Sequence, residues 1–228
     1  MSAPIAETYD ISLKDVANAL SRELLFKPFK HETIGWTRPD AARMWTSLYA
    51  GHSFGTILTR HEPVGSVVVA LASGDRYTDG VPVKVTKITG PLVGIHDGVQ
   101  RCSALAMGAH GLWCRGPQWN NVRYLVGFDP LECTFQALTS ANREGGEYID
   151  LREMFSRKYT LDDVVSGFVR CRETYLKPTF SPLEMQQVET NVDRLGSLVR
   201  DRTVSVCQLG VDSSADDLAR ARALNGHN

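Results

Sequence analysis

The chain has 228 residues, 43% of them hydrophobic and 22% charged, with a formal net charge of -1. That is enough apolar sequence for one large core, and too balanced a charge for a protein that coats nucleic acid through a broad basic surface. The longest aliphatic run, residues 67–72, is too short to span a bilayer, and the first ten residues carry neither a basic start nor an apolar signal region; a cytoplasmic protein is expected.

Residues 1–11 read as a short tail. Ser12 with Asp15 is a capping-box signal, and Leu13, Val16, Ala17 and Leu20 follow at helical spacing. Residues 24–29 read as extended, because Pro28 opposes a helix. Thr37 with Asp40 opens a second helix whose apolar stripe is Ala41, Met44, Trp45 and Leu48, with Gly51 as its C-cap. Residues 54–59 read as a strand, and 66–72 with 81–88 as a hairpin around a polar turn. A short apolar strand, 91–96, is broken by Asp97-Gly98, and a helix is expected over 99–108. Residues 124–128 and 133–138 read as a hairpin around Asp129-Pro130.

After residue 150 the pattern becomes helical. Thr160 with Asp163, Ser181-Pro182 with Glu184, and Ser214 with Asp217 each open a helix, and a strand is expected over 204–209. The fold class is therefore α+β, strands early and helices late, with residues 1–150 as a core and 151–228 as a mainly helical extension of the same domain. The five cysteines, 102, 114, 133, 171 and 207, are odd in number and widely spaced, so reduced and mostly buried thiols are expected rather than a zinc site.

The segment Gly94-Ile95-His96-Asp97-Gly98-Val99-Gln100-Arg101 runs strand, tight turn, helix start. A helix N-terminus offers unpaired N–H groups and a positive dipole end, and glycine allows close approach of a ligand. Arg101 can grip phosphate, Gln100 can orient a water, and Asp97 can hold magnesium or activate a water. An anion suits such a site, a nucleoside triphosphate above all. The plainer reading is a common Asp-Gly turn and helix cap.

The stretch Asp97-Gly98-Val99-Gln100-Arg101-Cys102-Ser103-Ala104-Leu105 resembles the D-G-Q-Q-R-L-T-A-L core of the DGQQR-motif restriction proteins, with Val99 in place of the first glutamine. Upstream, Leu48-Tyr49-Ala50-Gly51-His52-Ser53-Phe54-Gly55-Thr56-Ile57-Leu58 is similar to that family's helix end and G-Y-P-I-G-S-I-L segment. Pro28-Phe29-Lys30-His31 with Trp36 loosely resembles its P-x-F-Q-R segment, and Phe128-Asp129-Pro130, residues 149–155 and Ala221-Arg222-Ala223-Leu224-Asn225 follow in the family's order. The resemblance implies a mixed-sheet core like that of the ParB and sulfiredoxin superfamily with a C-terminal helical subdomain. It implies hydrolysis of nucleoside triphosphate, GTP among them, with Mg2+, tied to restriction of phage DNA. Family members include GmrSD-type enzymes acting on glucosylated DNA and SspE-type factors sensing phosphorothioate DNA; the length favours the latter. An HNH-type nuclease would follow in cis, this chain being truncated before it.

On that reading Asp97, Gln100 and Arg101 are catalytic, and Gly98, Arg101, Lys30 and His31 bind nucleotide. Trp36 and Arg115 contact DNA, and Asp97 carries magnesium. The alternatives are a ParB-like nucleotide- or DNA-binding module without turnover, or an interaction scaffold in which the motif is only a turn. Elsewhere, His96 is expected to be structural, His61-Glu62 a surface pair, Trp45 core and residues 113–119 a connecting loop.

Overall fold

A computed structural model describes residues 6–21, 25–28, 38–70, 76–78, 81–82, 85–87, 92–115, 121–139, 146–176 and 179–225. Two sheets and seven helices are built from them. The seven-stranded sheet is mixed and runs β1 (Glu7–Ser12), β13 (Thr203–Leu209), β3 (Ile57–Glu62), β8 (Leu92–Asp97), β2 (Leu25–Pro28), β4 (Val67–Ala70) and β7 (Val85–Lys87). Two of its pairings, β13 with β3 and β2 with β8, are parallel. The second sheet runs β11 (Thr134–Thr139), β10 (Asn121–Asp129), β9 (Leu112–Arg115), β5 (Arg76–Thr78) and β6 (Val81–Pro82), with β12 (Ile149–Asp150) also on β10.

The helices are α1 (Leu13–Ser21), α2 (Arg38–Tyr49), α3 (Val99–Ala109), α4 (Leu151–Phe155), α5 (Leu161–Leu176), α6 (Pro182–Asp201) and α7 (Ala215–Asn225). Four capping pairs read from the sequence are formed. The hydroxyls of Ser12, Thr160, Ser181 and Ser214 accept the backbone N–H of Asp15, Asp163, Glu184 and Asp217. Each satisfies a donor that the first helical turn leaves without an internal partner. The Thr37 signal before α2 lies outside the described residues.

One core runs through α1, α2, α3 and α6 and both sheets. Trp45, fully buried as expected from the stripe, stacks on Phe135, meets Phe155 edge-on and donates from its indole nitrogen to the carbonyl of Ala104 on α3 at 3.2 Å. The indole thereby contributes large apolar area with its one polar atom satisfied. The region after residue 150 is mainly helical, yet it returns β13 to the interior of the seven-stranded sheet, between β1 and β3.

Several expectations are corrected. Residues 7–12 are not tail but an edge strand, paired antiparallel with β13 from Glu7↔Gln208 to Ser12↔Thr203. The partner is some 190 residues away, so nothing local announces it. Residues 67–70 and 85–87 do pair antiparallel, but the chain between them contributes β5 and β6 to the other sheet. Residues 112–115 are a strand rather than part of a loop. The strand expected from residue 54 begins at Ile57. Of the four cysteines whose side chains are described, Cys102 alone is buried.

Candidate functional site

Strand β8 ends at Asp97 and α3 begins at Val99, so Gly98 makes the whole connection. Its φ of +86° is the left-handed region, open to glycine at little cost. Gly98 is the N-cap of α3 and offers no side-chain cap. The Asp97 carboxylate turns back on the turn instead: Oδ1 accepts the Gly98 N–H at 2.7 Å. Asp97 and Gln100 are half-buried at this end of the helix.

The start of β3, where loop 51–56 ends, passes over the same turn. A Cβ on Gly98 would lie 3.6 Å from the Ile57 Cα, and its nearest neighbour would be the Arg101 guanidinium at 3.4 Å. Arg101 donates from Nη1 to the carbonyl of Phe54 and from Nη2 to that of Thr56, both at 2.9 Å. It also lies over the buried Phe54 ring, 5.9 Å from the centroid. The fork expected to hold phosphate thus holds two main-chain oxygens.

On the opposite face of β8, His96 and Glu62 form a buried pair. Alternation along the strands sends Ile95 into the main core and His96 the other way. The His96 Nε2 and Glu62 Oε1 are 2.5 Å apart, with both side chains 4% exposed. Arg60 Nη2 donates to Glu62 Oε2 at 3.0 Å, and Arg222 of α7 donates to the His96 carbonyl at 2.8 Å. Burial pushes the Glu62 carboxyl up, but hydrogen bonds from His96 and Arg60 outweigh it and hold it below its ordinary value. The structural reading of His96 fits this geometry, whereas the surface reading of Glu62 does not. Period-2 spacing of Leu58, Arg60 and Glu62 was the signal available in the sequence: it puts Glu62 on the face of Leu58, which is fully buried.

Of the other residues expected at the site, Lys30, His31 and Trp36 lie outside the described residues. Arg115 falls at the end of β9, in the other sheet, where its backbone pairs with Asn121. His52 is exposed in the loop. Cys102, one residue past Arg101, is fully buried, and burial pushes its thiol up to about 12, which suits packing and not nucleophilic chemistry.

Among the described residues, no three His, Cys, Asp or Glu side chains gather as a metal cluster. Asp97 stands there as a single carboxylate. Magnesium is commonly held by one or two carboxylates together with substrate phosphates, so Asp97 suits an ion that arrives with a triphosphate rather than one caged by protein. Nor is any helix among the described residues long and apolar enough to cross a membrane.

No protein-family model matches the chain, and no curated protein matches it in sequence. The fold is mixed α+β with a mixed sheet.

Proposed function

We propose that this chain is the nucleotide-handling and DNA-modification-sensing part of an anti-phage restriction protein of the DGQQR-motif type, acting in the cytoplasm. Its core would be ParB/sulfiredoxin-like. It would hydrolyse nucleoside triphosphate, GTP first among the candidates, to control a nicking nuclease carried C-terminal to it, with phosphorothioate DNA as the sensed partner. The observation that carries the reading is the β8–Gly98–α3 turn: a helix start without a side-chain cap, flanked by a carboxylate and an amide at Asp97 and Gln100. Such a turn offers main-chain donors and a positive dipole end to phosphate.

In this reading phosphate rests against the N–H groups of the first turn of α3, Gln100 orients the attacking water, and Asp97 would hold the magnesium ion. That ion, when bound with the triphosphate, supplies neutralisation of phosphate charge. Arg101 belongs to the same turn. Lys30, His31, Trp36 and Arg115 remain proposed contacts to nucleotide and to DNA.

The test is calorimetric titration with magnesium-GTP and magnesium-ATP, with phosphate release measured with and without phosphorothioate DNA. Binding of one nucleotide, lost in Asp97→Ala and accompanied by DNA-stimulated release that Gln100→Ala removes, is the expected result. Absence of binding to the wild-type chain would sink the proposal.

A second reading, a binding module without turnover, is favoured by one observation: the Arg101 fork is committed to carbonyls rather than turned outward as a charge for a transition state. Binding without release under any DNA condition would select it.

A further inference from the structure

Resting on the proposed nucleotide site, we propose that Arg101 is a brace and not an anion ligand: locked between two left-handed glycines, Gly55 and Gly98, it fixes the 54–56 main chain as the second wall of the β8–α3 turn.

Both glycines have positive φ, +80° and +86°. At Gly55 the fit is the tighter. An added Cβ would lie 1.9 Å from Arg101 Nη1 and 3.2 Å from Cζ, so the guanidinium occupies the space a side chain would take. The loop has little else to order it. Among the described residues, no turn or loop backbone hydrogen bond reaches residues 53–56, and the ladder of β3 with β13 starts only at Ile57. What holds the segment is the buried Phe54 ring and the two bonds from Arg101. Turning this fork onto a phosphate would strip two carbonyls of charge-assisted bonds and release the segment that leads into Ile57, which lies against Gly98. A guanidinium matches two carbonyls as well as it matches a phosphate edge, because its donors are fixed in one plane. The carbonyls of Phe54 and Thr56 are thereby tied to the first turn of α3, and the next residue, Ile57, is held against Gly98. Arg101 acts on the ligand through that wall and is a positioning residue.

Gly55→Ala separates the two roles because it leaves the guanidinium charge in place and denies it its seat. A brace predicts that Gly55→Ala and Arg101→Ala each weaken binding of magnesium-GTP or magnesium-ATP about tenfold, that the double variant is no worse than either, and that the salt dependence of binding is unchanged in all three. Arg101→Lys, which keeps charge but loses the fork, should fall near Arg101→Ala. Amide hydrogen exchange at residues 57–59, the first rungs of β3, measured without nucleotide, should speed up in every variant. Wild-type affinity in Gly55→Ala, or an Arg101→Ala variant that loses affinity together with part of the salt dependence, would make Arg101 a direct ligand. Unchanged exchange in Arg101→Ala would also overturn the brace, and this measurement decides the matter if Gly55→Ala does not fold. If the wild-type chain binds neither nucleotide, the proposed function fails while the exchange experiment still tests the brace.

Discussion

The helix-packed face of the seven-stranded sheet carries Ile57 and Ile95 into a core shared with Trp45, Leu105 and Phe128. The opposite face, under α7, carries Leu58 and Leu209 against Leu218, and beside them the polar set Arg60, Glu62 and His96. One face is stabilised by area and close packing. The other adds the buried, hydrogen-bonded set of Arg60, Glu62 and His96 to a small apolar cluster. The two faces tolerate change differently: apolar packing loses by degrees with the volume removed, whereas a buried pair fails when either partner goes. Both faces meet at the end of β8, because His96 and Asp97 are neighbours there.

The largest expected effect lies on the packed face. Trp45→Ala removes a fully buried ring that touches α3 and both Phe135 and Phe155. It should cost about 4 kcal/mol. Denaturant unfolding measures this, and a loss under about 1 kcal/mol would mean that the core closes over the gap.

On the opposite face, Glu62→Ala leaves Arg60 and His96 without their shared acceptor, at a cost of about 3 kcal/mol. The same pair sets an acid limit. The Glu62 carboxyl is held below its ordinary value in the fold, so the unfolded chain takes up the proton first as pH falls. The stabilisation is therefore complete above the ordinary carboxylate range and is lost as pH drops through the lowered value. Comparing the stability of the wild type and Glu62→Gln between neutral and acid pH should show the difference shrinking with acid. A difference independent of pH would break the claim that charge at Glu62 stabilises this face.

The smallest of the three is Leu218→Ala. Among the described residues, Leu218 is the one buried apolar anchor of α7, against Leu58 and Leu209. About 2 kcal/mol is expected, at the low end for leucine because the cluster can partly collapse. Hydrogen exchange should show the loss confined to α7 and the edge it covers; a loss spread through α1 to α3 would show that the two faces do not behave separately.

The turn at Asp97–Arg101 was legible because glycine and a change of hydrophobic period mark it locally. The use of Arg101 was not. A phosphate and a pair of carbonyls make the same demand on a guanidinium, and which one it meets depends on where loop 51–56 crosses. Glu62 shows the same limit. The strand read from the sequence stops at residue 59 and leaves Glu62 on the surface; the histidine that buries it in a hydrogen bond is 34 residues on and is brought there by the pairing of β3 with β8.

Local sequence set most of the helices and where they begin, since a Ser or Thr followed three residues later by an acid acts within one turn, as at Ser12, Thr160, Ser181 and Ser214. It also determined the buried stripe of α2 and the strand-to-helix turn at Gly98, which depend on spacing and on the conformational range of one residue. Tertiary structure alone decided that residues 7–12 form a strand, that β13 enters between β1 and β3, and that Arg101 is spent on Phe54 and Thr56. Those outcomes turn on partners 45 to about 200 residues distant. A strand edge or a guanidinium has no partner of its own until the chain has closed around it.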